Sequence, residues 1–290
     1  MNQQRTIRPL TPSDARAVER ISMGSAWTSV HFTQAELPRL LLTRPAVGLF
    51  GPADTLLGFL LATSLVPPAV WLGGFGVPWM ERAHVAVICD ALLPPWLAMA
   101  EAHGARTVYY TGHDPDNDLL HDYLLAHGFH LHEQLRSYDK VGVASAAAGN
   151  PAVQVRPFAL PGDLAGVLAI EATAFVSPWQ HDASEFAEMA EDYPYFVVAE
   201  LADGGIAGYQ CNTVDAEYGF LVRIAVRSDV HGQGIGTRLM AEALRYFAQA
   251  GVLRILLNAE DANPRAHRLY ERFGFELIEP RGFVLAYDIP

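Results

Sequence analysis

The feature that most constrains this chain is that it repeats itself at half its own length. Ile7-Arg-Pro-Leu-Thr-Pro-Ser-Asp14 is echoed by Val155-Arg-Pro-Phe-Ala-Leu-Pro-Gly-Asp163. Leu120 to Phe129 is echoed by His267 to Phe275, and Gly104 by Gly251, each glycine standing before an apolar run (Thr107 to Tyr110; Ile255 to Leu257). Every match is offset by 146 to 149 residues in a chain of 290. The chain therefore reads as two copies of one domain, 1–140 and 153–290, joined over 141–152 by a stretch with the Gly, Ala, Ser, Asn and Pro content of a linker. At this length it can bury two ordinary cores.

The second copy carries the more telling chemistry. An apolar segment, Phe220 to Val226, feeds His231-Gly-Gln-Gly-Ile-Gly-Thr-Arg-Leu239, and a helical pattern then runs from Thr237 to a stop at Gly251. A glycine-rich turn that opens a helix lets backbone N–H groups close in on an anion, with the helix dipole in support. Such loops also merely join elements. One helix and one strand later comes Asn263-Pro-Arg-Ala-His-Arg-Leu-Tyr-Glu-Arg-Phe-Gly-Phe275, with proline at a helix start and Gly274 as its cap. Around these lie strand patterns at 153–158, 195–202, 205–214 and 217–226, helical patterns at 164–175 and 182–193, an Asp-Gly-Gly hairpin turn at 203–205, and a closing strand over 283–289.

Together the two segments resemble the Gcn5-related N-acetyltransferase (GNAT) superfamily. The first family motif reads Arg/Gln-x-x-Gly-x-Gly/Ala, and here Gly234 and Gly236 keep it while His231 departs from it. The second reads Asn-x-x-Ala-x-x-Leu-Tyr-x-x-x-Gly-Phe and is complete in Asn263, Ala266, Leu269, Tyr270, Gly274 and Phe275. The resemblance is specific over about 153–290. It implies an α/β fold of the α+β sandwich type, two GNAT-like domains each built on a mostly antiparallel mixed sheet flanked by helices. It also implies acetyl-CoA as co-substrate, without a metal. The first copy has no glycine between His84 and Ala102, and Pro94-Pro95 stands where the loop-to-helix start would be, so we expect a degenerate domain that does not bind the cofactor. A tandem with one working half is similar in organisation to the mycothiol synthases.

By the same resemblance the loop His231, Gly232, Gln233, Gly234, Ile235, Gly236 and Thr237 holds the diphosphate through backbone N–H groups. Ile224 and Val226 lie where the family splays two strands apart and takes up the pantetheine, and the Val226 N–H polarises the thioester carbonyl. In the bland reading these two side chains are core, and His231 is a solvated loop residue. Tyr270 is the expected general acid, a phenol neutral at pH 7 that protonates the leaving thiolate; its bland reading is a core aromatic. Asn263 caps its helix, contacts the pantetheine region with Ala266, or does both. The family's usual base positions hold Val222 and Asn258, which accept no proton, leaving Glu217, Glu260 or Asp215, of which Glu217 is the expected base.

Composition narrows the partners. Residues 1–145 carry a balance of −3 and residues 146–290 one of −9, which repels nucleic acid and anionic membrane and favours a cationic acceptor. Glu185, Glu188, Glu191 and Asp192 could attract such a cation, or form a solvated helix face. Cys89 and Cys211 fall in strand-like segments of different copies and are expected to be buried free thiols, suiting a cytoplasmic protein. No run approaches the ~18 apolar residues of a membrane span, and the N-terminus does not read as a signal peptide. His127, His130 and His132 read as surface histidines rather than metal ligands. The expected activity is transfer of acetyl from acetyl-CoA to a primary amine of a small molecule by a monomer or homodimer. The alternative is an acyl-CoA-binding sensor without turnover.

Overall fold

The computed structural model describes residues 5–25, 27–145, 147–215 and 217–290. It divides into two compact units, the first running up to Glu133 and taking back Gly282–Pro290, the second being Gln134–Arg281.

In the first unit β1 (Thr6–Pro9), α1 (Ala15–Gly24), β2 (Thr28–Val30), α2 (Leu37–Thr43) and β3 (Ala46–Phe50) precede β4 (Leu56–Val66) and β5 (Ala69–Gly76). Helix α3 (Val85–Ala102), β6 (Thr107–Gly112) and α4 (His121–Ala126) follow. The second unit contains most of β7 (His130–Val141), then β8 (Gln154–Pro157), α5 (Leu164–Ala174), α6 (Ala183–Asp192), β9 (Tyr195–Glu200), β10 (Ile206–Val214), β11 (Tyr218–Val226), α7 (Ile235–Gln249), β12 (Arg254–Glu260) and α8 (Pro264–Arg272). Strand β13 (Glu276–Asp288) comes last. Within each unit the described strands pair mostly antiparallel, with β5–β6 and β11–β12 parallel, as the α/β expectation required.

The repeat has a physical basis at each copy's start. Arg8 grips Asp14 through two bonds of 2.9 Å, and Asp14 also accepts from the Thr11 N–H at 2.9 Å. Arg156 grips Asp163 at 2.6 and 2.8 Å, and Asp163 accepts from the Ala159 N–H at 2.8 Å. In both cases the guanidinium holds the carboxyl below its ordinary pKa.

The sequence boundary between the copies is corrected at both ends. Strand β7, read as the end of the first copy, pairs from Leu135 to Val141 with β12 of the second unit. The closing strand 283–289, read as part of the second copy, pairs from Phe283 to Asp288 with β6 of the first unit. Each copy thus completes its sheet with a strand from the other half of the sequence. Local pattern marks the closing segment as a strand, but cannot choose between two edges built from the same pattern. The segment 141–152 is also more than a linker, since Val143 and Ala147 pack on the second unit's core.

Helix α3 begins at Val85, after a single 3₁₀ segment at Trp79–His84, so Pro94 and Pro95 lie inside it rather than at its start. Its Ile88, Cys89, Leu92, Leu93, Trp96 and Ala100 enter the first core, and the Trp96 indole N–H donates to the Pro45 carbonyl at 3.1 Å. Cys89 is therefore helical, not in a strand. Both cysteines are free and buried, and burial pushes the Cys89 thiol up to about 12. By length and composition the stretch Trp79–Ala102 is apolar enough to cross a membrane, which corrects the expectation that no run is. In this fold it is the core helix of the first sheet.

Candidate active site in the second unit

The site grows from the divergence of two strands. β11 and β12 pair in parallel only at Tyr218/Arg254, Gly219/Ile255 and Phe220/Leu256. Beyond that point each follows its other neighbour, β11 staying on β10 to Val226 and β12 on β7 to Glu260. A bulge helps to bend β11: Cys211 opposes Arg223 and Asn212 opposes Leu221, so Val222 is the extra residue. The Arg227 N–H donates to Ala207 on the β10 side at 2.8 Å. By strand alternation the N–H groups of Ile224 and Val226 face the opening. Both expected pantetheine residues thus lie on a free strand edge.

The glycine loop stands at the top of this opening. After a 3₁₀ turn that buries Val230, Gly232 and Gly234 take positive φ of 79° and 77°, and Gly234 is the N-cap of α7. The left-handed backbone costs a side chain about 1–2 kcal/mol, which explains the glycines. The N–H groups of Ile235, Gly236 and Thr237 are first-turn donors without an intrahelical acceptor. A methyl built on Gly236 would lie 3.6 Å from Leu269 and 3.7 Å from Val226, so this turn packs between α8 and the end of β11. The side chain of Ile235 is core, at 1% exposure. The loop's own carbonyls are occupied: Asn150 donates through Nδ2 to Gln233 O at 2.9 Å and through its backbone N–H to Gly234 O at 3.2 Å.

His231 is not the solvated residue of the bland reading. Its Nε2 lies 2.8 Å from the Val226 carbonyl, and its Nδ1 meets the Arg265 guanidinium. Because guanidinium only donates, Nδ1 is the acceptor and Nε2 carries the proton. The other arginines near the loop are neutralised, Arg227 by Asp229 at 2.6 Å and Arg238 by Glu242 at 2.7 Å.

Helix α8 brings the second motif to the opening. The Asn263 side chain accepts from the Ala266 N–H at 3.1 Å and so caps the helix. Tyr270 is 5% exposed, with Tyr138 edge-on at 5.6 Å and Phe275 at 6.1 Å between ring centres. Among the described residues nothing hydrogen-bonds its hydroxyl. Burial first, then the charge of Glu260, holds the phenol above its ordinary pKa, so it stays a proton donor at neutral pH. Tyr138 comes from β7 and also bonds His267 Nδ1 at 3.0 Å, whose Nε2 lies 3.1 Å from Asp261 O. Nothing in the sequence pointed to Tyr138, because it belongs to the first copy's last strand.

Glu217 does not belong to the site. It sits in the β10–β11 turn, its N–H on the Asp215 carboxylate at 2.8 Å. Seven residues of extended chain, ~23 Å, separate it from Ile224. Asp215 shares that turn. Of the three carboxylates weighed as base, Glu260 is the one whose charge reaches the Tyr270 phenol.

On the opposite face of β11, Arg223 is enclosed by groups the sequence did not reveal. Its guanidinium pairs with buried Glu171 of α5, donates to Trp179 O at 2.5 Å and to the Tyr209 hydroxyl at 3.1 Å, and lies 3.6 Å over the Phe175 ring. The Tyr209 hydroxyl in turn donates to Glu171. This network fastens α5 and the loop after it to β10 and β11. In α6, Glu185 is buried and bonded to His181 at 2.6 Å, so the helix is not an evenly solvated acidic face.

Residues 164–275 match the family described as acetyltransferase (GNAT). An uncharacterized N-acetyltransferase of Methanocaldococcus jannaschii is 34% identical over 115 residues, 39% of this chain and 72% of that protein. A putative [ribosomal protein bS18]-alanine N-acetyltransferase of Bacillus subtilis is 29% identical over 114 residues, 39% of this chain and 75% of its own length. A mycothiol acetyltransferase of Saccharomonospora viridis is 28% identical over 145 residues, and there the chain spans only 47% of the relative. In fold the whole chain is similar to a tandem GNAT protein from the clavulanic acid biosynthesis pathway, with a TM-score of 0.71, 15% identity and 98% of each chain covered. A GCN5-related N-acetyltransferase from Sphaerobacter thermophilus gives 0.67 at 17% identity, over 98% of this chain and 95% of that one. With its free strand edge, its glycine loop and its motif helix in place, the chain belongs to the GNAT acetyltransferase family, in tandem form, and is an acyltransferase.

Proposed function

We propose that the second unit transfers acetyl from acetyl-CoA to a primary amine of a small, cationic acceptor by direct attack. The observation that carries the reading is the free edge of β11 with Tyr270 buried beside it and the N–H groups of the loop above it. A thioester donor in that opening would be held by the backbone N–H groups of Ile224 and Val226, with loop N–H groups toward its diphosphate. The amine nitrogen adds to the thioester carbon, the C–S bond breaks, and Tyr270 protonates the departing thiolate. Glu260 is the carboxylate we assign to accept the ammonium proton. The negative balance of residues 146–290 supports a cationic acceptor.

The first unit supports a single site. There β5 and β6 also part after Trp71/Tyr109, but β2 lies on the exposed edge, pairing Thr28, Ser29 and Val30 with Gly76, Phe75 and Gly74. The chain's own backbone occupies the edge that stays free in the second unit, and no glycine loop follows. Calorimetry with acetyl-CoA is expected to give one site per chain, lost in Gly234→Glu, and a panel of small amines to yield an acetylated product by mass. No binding, or binding unchanged in Gly234→Glu, would overturn the reading. Binding without turnover on any amine would instead support an acyl-CoA sensor, the reading that Val222 and Asn258 at the usual base positions favour.

A further inference from the structure

We infer that Arg265 supplies the loop's missing cation, and that His231 is the strut that holds it there. The inference rests on the acetyl-CoA reading and concerns residues that the family motif does not name for this task. Position 231 lacks the guanidinium or amide of the motif. Yet a guanidinium stands at this position's side, brought by the first turn of α8 and bonded to His231 Nδ1. The imidazole is fixed from behind, because its Nε2–H is spent on the Val226 carbonyl at 2.8 Å. A ring so anchored offers Arg265 one lone pair in one direction, which limits where the exposed guanidinium can go.

Among the described residues Arg265 is the unpaired arginine in contact with the loop, through His231. Arg227 and Arg238 flank the loop but are paired with Asp229 and Glu242. Among the described residues no carboxylate lies within ion-pair distance of Arg265. In a chain whose acidic groups outnumber its basic ones by twelve, an unpaired cation beside a row of free N–H groups is a feature that an anion would complete. The ligand chemistry is a phosphate ester or diphosphate, and in the proposed reaction that group belongs to coenzyme A. Arg265 binds it; His231 is a positioning residue that acts through Arg265.

The test compares two donors by their phosphates. Arg265→Gln is expected to weaken acetyl-CoA binding in calorimetry by about 10- to 100-fold and to flatten its salt dependence, since one charge-assisted contact is lost. Turnover with acetyl-pantetheine, which has no phosphate, should change by less than about twofold. Arg265→Lys should fall between, keeping charge without the fork. In the Arg265→Gln background, His231→Arg should restore most of the lost affinity, which a purely structural role for Arg265 does not predict. Thermal unfolding of each variant establishes that it is folded. Equal loss on both donors, unchanged acetyl-CoA affinity in Arg265→Gln, or no rescue by His231→Arg each overturns the inference. Wild-type protein that binds no acetyl-CoA at all would instead overturn the function on which it rests.

Discussion

Replacing Tyr270 with phenylalanine separates chemistry from packing at this site unusually well. The ring makes its contacts with Tyr138 and Phe275, and phenylalanine keeps them. The hydroxyl has no hydrogen-bond partner among the described residues, so its removal breaks no bond and strands no buried group. The stability change should be under about 1 kcal/mol. For a unit of this size that moves Tm by less than about 4 °C. The kinetic cost should be far larger, because a general acid contributes about 10²- to 10⁴-fold, or roughly 3–5 kcal/mol of barrier. Steady-state kinetics should therefore show kcat falling by at least about a hundredfold while KM for acetyl-CoA changes little. The pH profile adds a check on sign. A phenol donates below its pKa and ceases to as pH rises through it, and the folded pKa of Tyr270 is raised, so wild-type activity should not be lost through this group below about pH 10. A fall in kcat of less than about tenfold, or parallel losses in kcat and affinity, would refute the acid role and leave Tyr270 as a packing residue.

Other outcomes follow from the same geometry. Glu217→Gln should leave turnover and stability nearly unchanged, whereas Glu260→Gln should lower kcat at neutral pH by about 10²-fold or more; the reverse result would return the base to the β10–β11 turn. Asp163→Asn should cost about 1.5–3 kcal/mol in chemical denaturation at pH 7, from lost charge-assisted bonds to Arg156. Because the folded carboxyl is depressed, this contribution is complete above the unfolded pKa of about 3.9 and disappears as pH falls below it, so wild type and variant should converge in acid. A fragment of 153–290 leaves the β12 edge without β7 and should aggregate or remain unfolded, while 134–281 retains the full second sheet. Cooperative unfolding of the shorter fragment would contradict the strand exchange.

Much of this protein could be read from local pattern. The helices α5, α6, α7 and α8, the Asp-Gly-Gly hairpin, the glycine loop and the Asn263 cap each depend on residues within a turn or two of one another, where propensity and period speak directly. The repeat added what periodicity lacks, a common fold for both halves, and Arg8–Asp14 and Arg156–Asp163 show the contact it preserves. Local pattern misleads where the partner is distant in sequence. Pro94 and Pro95 looked like a boundary but are held within α3, whose buried face outweighs their local preference. Glu217 is near β11 in sequence and far from the site in space, because an extended strand carries it there.

The sequence by itself determined that there are two copies of one fold and that only the second carries a glycine-rich loop opening a helix, since these depend on short-range spacing. Tertiary structure alone decided which sheet each terminal strand completes and that β2 covers the edge of β5 while the edge of β11 stays free. It also decided that Tyr138, Asn150 and Arg265 converge on the site from three separate segments. Those choices are made by backbone edges and unpaired charges finding partners across the chain, and strand patterning leaves them open because one edge accepts another of the same register equally well.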